Sequence, residues 1–122
     1  MTAVIADDSN ILRFTIKEML KSCDVTDIYE ASNGEDAVNL YKKHKPDFIT
    51  LDVSMDKLDG FEALKRIMKI DPNAKVIMIS SISQDIIVKS AIQIGASDYI
   101  VKPFSQEQIT KAVNRLKEEM NG

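Results

Sequence analysis

Five short runs rich in β-branched residues recur along the chain: TAVIA (2–6), DIYEA (27–31), DFITLD (47–52), KVIMIS (75–80) and DYIVK (98–102). Stretches with helical spacing separate them and a last one follows. The third of these, DFITLD, reads as a strand buried on both faces. Regular alternation of such strands with helices requires parallel pairing through right-handed crossovers, hence an α/β three-layer sandwich around a five-stranded sheet.

The last helix carries the clearest pattern. Ile109, Ala112, Val113, Leu116 and Met120 share one face, and Ser105 with Gln108 three residues on has the form of a capping box. The spacing predicts further helices over residues 10–22, 35–44, 60–70 and 84–94, with Ser81 or Ser83 serving at the start of the fourth. Asn33-Gly34, Pro46, Asp71-Pro72-Asn73 and Gly95 punctuate these segments where turns and caps belong. Five strands in this pattern suggest the flavodoxin-like order 2-1-3-4-5. Its ligand crevice lies beyond the carboxyl ends of strands 1 and 3, where the strand order reverses.

Composition narrows the function. A chain of 122 residues with 44% hydrophobic residues supports one domain with one core, taken here as residues 1–122. A net charge of −3 argues against binding nucleic acid or an anionic membrane by bulk attraction. No apolar stretch approaches the roughly 20 residues that span a bilayer. The lone Cys23 fits a reducing, cytoplasmic setting and reads as a small buried residue. His44, near the end of the second helix, reads as structural.

The crevice is where polar residues concentrate. Asp7 and Asp8 end strand 1, Asp52 ends strand 3, Ser80 ends strand 4 and Lys102 ends strand 5. Like charges about 4 Å apart cost roughly 4 kcal/mol per pair at an effective dielectric near 20, so a cation belongs among the acids. Oxygen-only ligands suit Mg²⁺. With Lys102 and Ser80 beside the metal, the set fits transfer of a phosphoryl group to a carboxylate. Neutralising Asp7 is expected to relieve repulsion in the metal-free protein.

These pieces, together with MDKLDG (55–60) and GASDYIVKPF (95–104), give the chain a strong resemblance to the receiver domains of two-component response regulators, in their stand-alone CheY-like form. The resemblance implies that Asp52 accepts a phosphoryl group from a histidine kinase of the CheA-like type. It implies that Asp8, Asp52 and the backbone carbonyl of Ser54 hold Mg²⁺, with Asp7 acting through a water. Ser80 and Tyr99 are then the switch residues, Lys102 pairs with the phosphoryl oxygens, and the Lys102–Pro103 bond is cis. The implied output surface for a downstream protein is helix 4, strand 5 and helix 5, with Ile86, Lys89, Tyr99, Lys102, Gln106 and Lys111 as contact candidates. Such a protein is no enzyme beyond its own phosphorylation and dephosphorylation.

One residue departs from the family pattern. Asp56 stands where proline is usual, which frees the local φ and adds an acid near the metal. Ser54 and Ile82 occupy positions that govern water access to the phosphoaspartate in the family. Chemotaxis or motility control is the expected setting, with a phosphorelay intermediate as alternative. A Mg²⁺-dependent phosphohydrolase is the rival from another class, disfavoured because the first acid pair is adjacent rather than Asp-x-Asp and no segment forms a lid.

Overall fold

The computed structural model describes residues 1–121. Its order is β1 (Thr2–Ala6), α1 (Asn10–Lys21), β2 (Asp27–Ala31), α2 (Gly34–His44), β3 (Phe48–Leu51), α3 (Gly60–Ile70), β4 (Val76–Ser80), α4 (Asp85–Ile94), β5 (Asp98–Val101) and α5 (Gln106–Asn121). The five strands pair in parallel in the order β2-β1-β3-β4-β5, as the alternation predicts.

The two-residue period of the strands sorts the core into two layers. Ala3, Ile5, Phe48, Ile77, Ile79 and Ile100 pack with Ile16 and Leu20 of α1 and with Ile109, Val113 and Leu116 of α5. Val4, Ile49, Leu51, Val76 and Met78 pack on the other face with α2, α3 and Ala91 of α4. The central strands β3 and β4 are buried at every position, which is why they read as continuous apolar runs. Fully burying one such side chain is worth about 1.5–3 kcal/mol.

Local chemistry sets the helix ends. Ser9, Asn33 and Asp59 cap α1, α2 and α3 by accepting from the amides of Leu12, Asp36 and Glu62. The box at α5 is reciprocal: the Ser105 amide donates to Gln108 Oε1 at 2.8 Å, and the Gln108 amide donates to Ser105 Oγ at 3.2 Å. The expectation for α4 is corrected. Neither Ser81 nor Ser83 caps it, because the N-cap position falls on Gln84, which makes no side-chain capping bond. Ser80 instead uses its hydroxyl locally, accepting from the Ile82 amide at 3.1 Å.

Two glycines mark close approaches. A Cβ at Gly60 would lie 2.0 Å from the Asp52 carbonyl oxygen, and one at Gly34 would lie 2.0 Å from the Leu58 carbonyl oxygen. Only a residue without a side chain lets α3 begin against the end of β3. Cys23 is buried after α1, and His44 stacks on Tyr29 with ring centroids 3.6 Å apart.

Candidate functional site

Alternation along the strands carries three charges to one place. Asp7 follows Ala3 and Ile5 in parity, Asp52 follows Phe48 and Thr50, and Lys102 follows Ile100. The ladder between β1 and β3 extends one step beyond β3, where the Asp52 amide donates to the carbonyl of Ala6 at the end of β1 at 2.9 Å. Across the sheet the Lys102 amide donates to the Ser80 carbonyl at 2.9 Å, and the Lys102–Pro103 bond that follows is cis.

Carboxylate oxygens of Asp7, Asp8 and Asp52 lie within 4.8 Å of one another. Asp7 is 1% exposed and Asp52 6%, whereas Asp8 opens to solvent. Lys102 Nζ lies between the two buried acids, donating to Asp7 Oδ2 at 2.9 Å and to Asp52 Oδ2 at 3.2 Å. The other oxygen of each is held by backbone: Asp7 Oδ1 accepts from the Ser9 amide at 2.9 Å, and Asp52 Oδ1 from the Ser54 amide at 3.4 Å.

This arrangement changes one expectation. Crowding of the acids in the metal-free protein is already offset by Lys102, a residue for which the family resemblance implies pairing with phosphoryl oxygens. Neutralising Asp7 therefore removes an ion pair and an amide acceptor, and relief of repulsion no longer follows.

Burial, then the neighbouring Asp7 charge, push the Asp52 carboxyl above the usual aspartate range against the opposing pull of Lys102. Burial works against the Lys102 ammonium, but the hydrogen bond to Asp7 and the charges of Asp52 and Asp7 outweigh it and hold the group above the usual lysine value. Burial raises the Tyr99 phenol, and the Asp52 charge adds to it. The phenol O–H donates to the Ile82 carbonyl at 2.6 Å, so Tyr99 is turned toward the loop after Ser80.

The residues fit a hard divalent cation. Their donors are carboxylate oxygens from adjacent strand ends, and the exposed side of Asp8 leaves room for water ligands. Sequence reasoning found every one of these groups. It missed that Lys102 is a resident counter-ion, and only the convergence of strand parity at the β1, β3 and β5 ends could have signalled that.

A parallel sheet with an acid cluster and a lysine at its switch point is the arrangement expected of a phosphoacceptor domain. The chain belongs to the response regulator receiver domain family, which it matches over residues 3–114. The family's receiver domains are phosphorylation-switched regulators, which favours that reading over the phosphohydrolase alternative.

Among individual proteins it is similar to the chemotaxis protein CheY of Thermotoga maritima, at 42% identity over 113 residues covering 93% of this chain and 94% of the relative. It is also similar to CheY of Bacillus subtilis, at 43% over 112 residues covering 92% and 93%. The structure resembles one from the CheX-CheY-BeF₃-Mg²⁺ complex of Borrelia burgdorferi, with a TM-score of 0.92 and 35% identity covering 96% of this chain and 89% of that one.

Proposed function

We propose that residues 1–122 act as one receiver domain in chemotaxis or motility control, taking a phosphoryl group onto Asp52 from a CheA-like histidine kinase. The observation that carries this reading is the meeting of Asp7, Asp8 and Asp52 within 4.8 Å, with Lys102 bonded to two of them. The similarity to CheY proteins over more than nine-tenths of the chain supports the chemotaxis setting.

In this reading an oxygen of Asp52 attacks phosphorus, and the bond from phosphorus to the donor breaks with its electron pair leaving on the donor. Asp8, Asp52 and the Ser54 carbonyl would hold Mg²⁺, with Asp7 acting through a water, and the ion would supply neutralisation of the phosphoryl oxygens. Ser80 releases the Ile82 amide and donates its hydroxyl to one phosphoryl oxygen. Lys102 turns from Asp7 and Asp52 to another. The added charge of about −1.5 to −2 favours one arrangement of the loops after β4 and β5, and Tyr99 reports it through its bond to Ile82.

The output surface would be α4, β5 and α5. Ile86 on α4 is 73% exposed, and Lys89, on the same helix, and Lys111, on α5, are exposed as well. Gln106 is engaged elsewhere, donating to the Met19 carbonyl and to Thr110 Oγ1, both at 3.1 Å, so it contributes less than its position suggests. The complex of the Borrelia CheY with CheX supports a protein partner for this chain too. Among the described residues no helix is long and apolar enough to cross a membrane, which accords with a cytoplasmic role.

The test is labelling with acetyl phosphate and Mg²⁺ followed by intact mass. One phosphoryl group is expected on the wild-type chain and none on Asp52→Asn; labelling that survives the substitution would falsify the assignment.

A further inference from the structure

Beside the phosphoacceptor opens a cavity of about 360 Å³ lined by Asp8, Val53, Ser54, Met55, Asp56 and Asp59. Its three acids are not equivalent. Asp59 is committed to α3, where its Oδ1 accepts from the Glu62 amide at 2.9 Å beside the positive end of the helix dipole. Asp8 and Asp56 have neither an ion pair nor a side-chain hydrogen bond among the described residues. Lys57, next to Asp56, does not line the cavity and pairs with neither acid; its own φ is 64°.

Asp56 is also held in place by backbone. It forms an isolated parallel bridge with Asn33, the N-cap of α2, and its carbonyl accepts from the Leu58 amide at 2.7 Å. The backbone of Asp56 is thereby anchored, and its exposed carboxylate stands on the rim without a side-chain partner among the described residues. Formal charges give that position its meaning. Asp7, Asp8 and Asp52 against Lys102 and a divalent cation sum to zero, so the remaining acids of the lining, the helix-capping Asp59 and the unpaired Asp56, turn the occupied mouth negative.

We propose that Asp56 makes this receiver discriminate among phosphoryl donors by their charge, disfavouring dianionic small molecules while strengthening the hold on the divalent cation. The inference rests on the phosphoacceptor reading above. For acetyl phosphate the balanced step forms a bond from Asp52 oxygen to phosphorus, breaks the bond from phosphorus to the acetyl oxygen, and releases acetate with the electron pair. Asp56 is exposed, so it acts on the incoming dianion as a solvent-screened charge at the mouth, an effect that survives only within the screening length of about 8 Å at physiological ionic strength. Phosphoramidate carries one negative charge fewer at neutral pH and is opposed less.

The test compares Asp56→Asn and Asp56→Lys with Glu118→Gln, which removes one charge from the exposed, distal part of α5. Isothermal titration of Mg²⁺ alone should show binding weakened about 2- to 5-fold in Asp56→Asn and further in Asp56→Lys. At saturating Mg²⁺, the preference for phosphoramidate over acetyl phosphate should fall about 2- to 3-fold in Asp56→Asn, with Asp56→Lys extending the trend and Glu118→Gln leaving it unchanged. An unaltered donor ratio and Mg²⁺ affinity in both Asp56 variants, or equal changes in Glu118→Gln, would overturn the proposal. Loss of Mg²⁺ binding in Asp8→Asn and of labelling in Asp52→Asn, seen in the same series, keeps a failure at Asp56 distinct from a failure of the site itself.

Discussion

The junction of β3 with α3 and the helix α4 are built to opposite standards. At the junction, β3 is buried throughout, Asp59 caps α3, the Gly60 amide donates to the Val53 carbonyl at 2.8 Å, and Gly60 leaves no space against the Asp52 carbonyl. In α4 Ala91 is the one buried residue, the N-cap side chain makes no bond, and Ile86 and Ile92 are 73% and 46% exposed. The proposed modification site thus sits where displacement is costly, and the proposed readout sits where it is cheap. A free-energy change made at Asp52 is expressed in the element with the least to lose.

The comparison breaks first at Gly60. Gly60→Ala forces a Cβ into backbone and is expected to destabilise the protein by more than about 3 kcal/mol in urea unfolding, the range of a severe core lesion. A loss below about 1 kcal/mol would mean that the junction can yield as α4 does.

Next comes the ion pair. Lys102→Met strands Asp7 and Asp52 together and is expected to cost about 2–3 kcal/mol without metal, much of it restored by saturating Mg²⁺. Melting curves with and without Mg²⁺ check this, and a variant as stable as wild type in chelator would remove the lysine from the account.

The pH dependence sharpens the same point. Asp52 has a raised folded-state value, so its favourable contribution is complete below the ordinary aspartate value of 3.8 and is lost as pH rises through the folded value. In the metal-free protein Asp52→Asn should gain stability relative to wild type as pH rises across that window and then level off. A difference that is flat or falls with pH contradicts it.

The smallest effect lies in α4. Gln84→Asp supplies the missing cap, is expected to add about 0.5–1 kcal/mol, and should slow hydrogen exchange in the first turn of α4 while leaving α3 unchanged.

Most of the fold was legible because the central strands are buried on both faces and the helices carry local punctuation at their ends. The capping box at Ser105 and Gln108 and the C-terminal Gly95 at φ 138° are written within a few residues of where they act. The site residues were legible for a related reason: strand ends and their polar terminators are adjacent in sequence. What escaped depends on partners distant along the chain. Gly60 looks like an ordinary first helical residue until the Asp52 carbonyl is placed against it, and Gly34 like a turn glycine until Leu58 arrives. The serines before α4 have capping chemistry, but the chain enters the helix after them, and Gln84 takes the position. Nothing near Lys102 in sequence says that its amine is already engaged by acids 95 and 50 positions away.

That prior engagement has a consequence of its own. The ammonium is an occupied latch: before any donor arrives it closes on two neighbours, and the incoming group must outbid them for it. In the proposed function, resting and activated forms would then differ by an exchange of bonding partners rather than by a bond made from nothing, which would keep the gap between them small enough for one covalent event to cross.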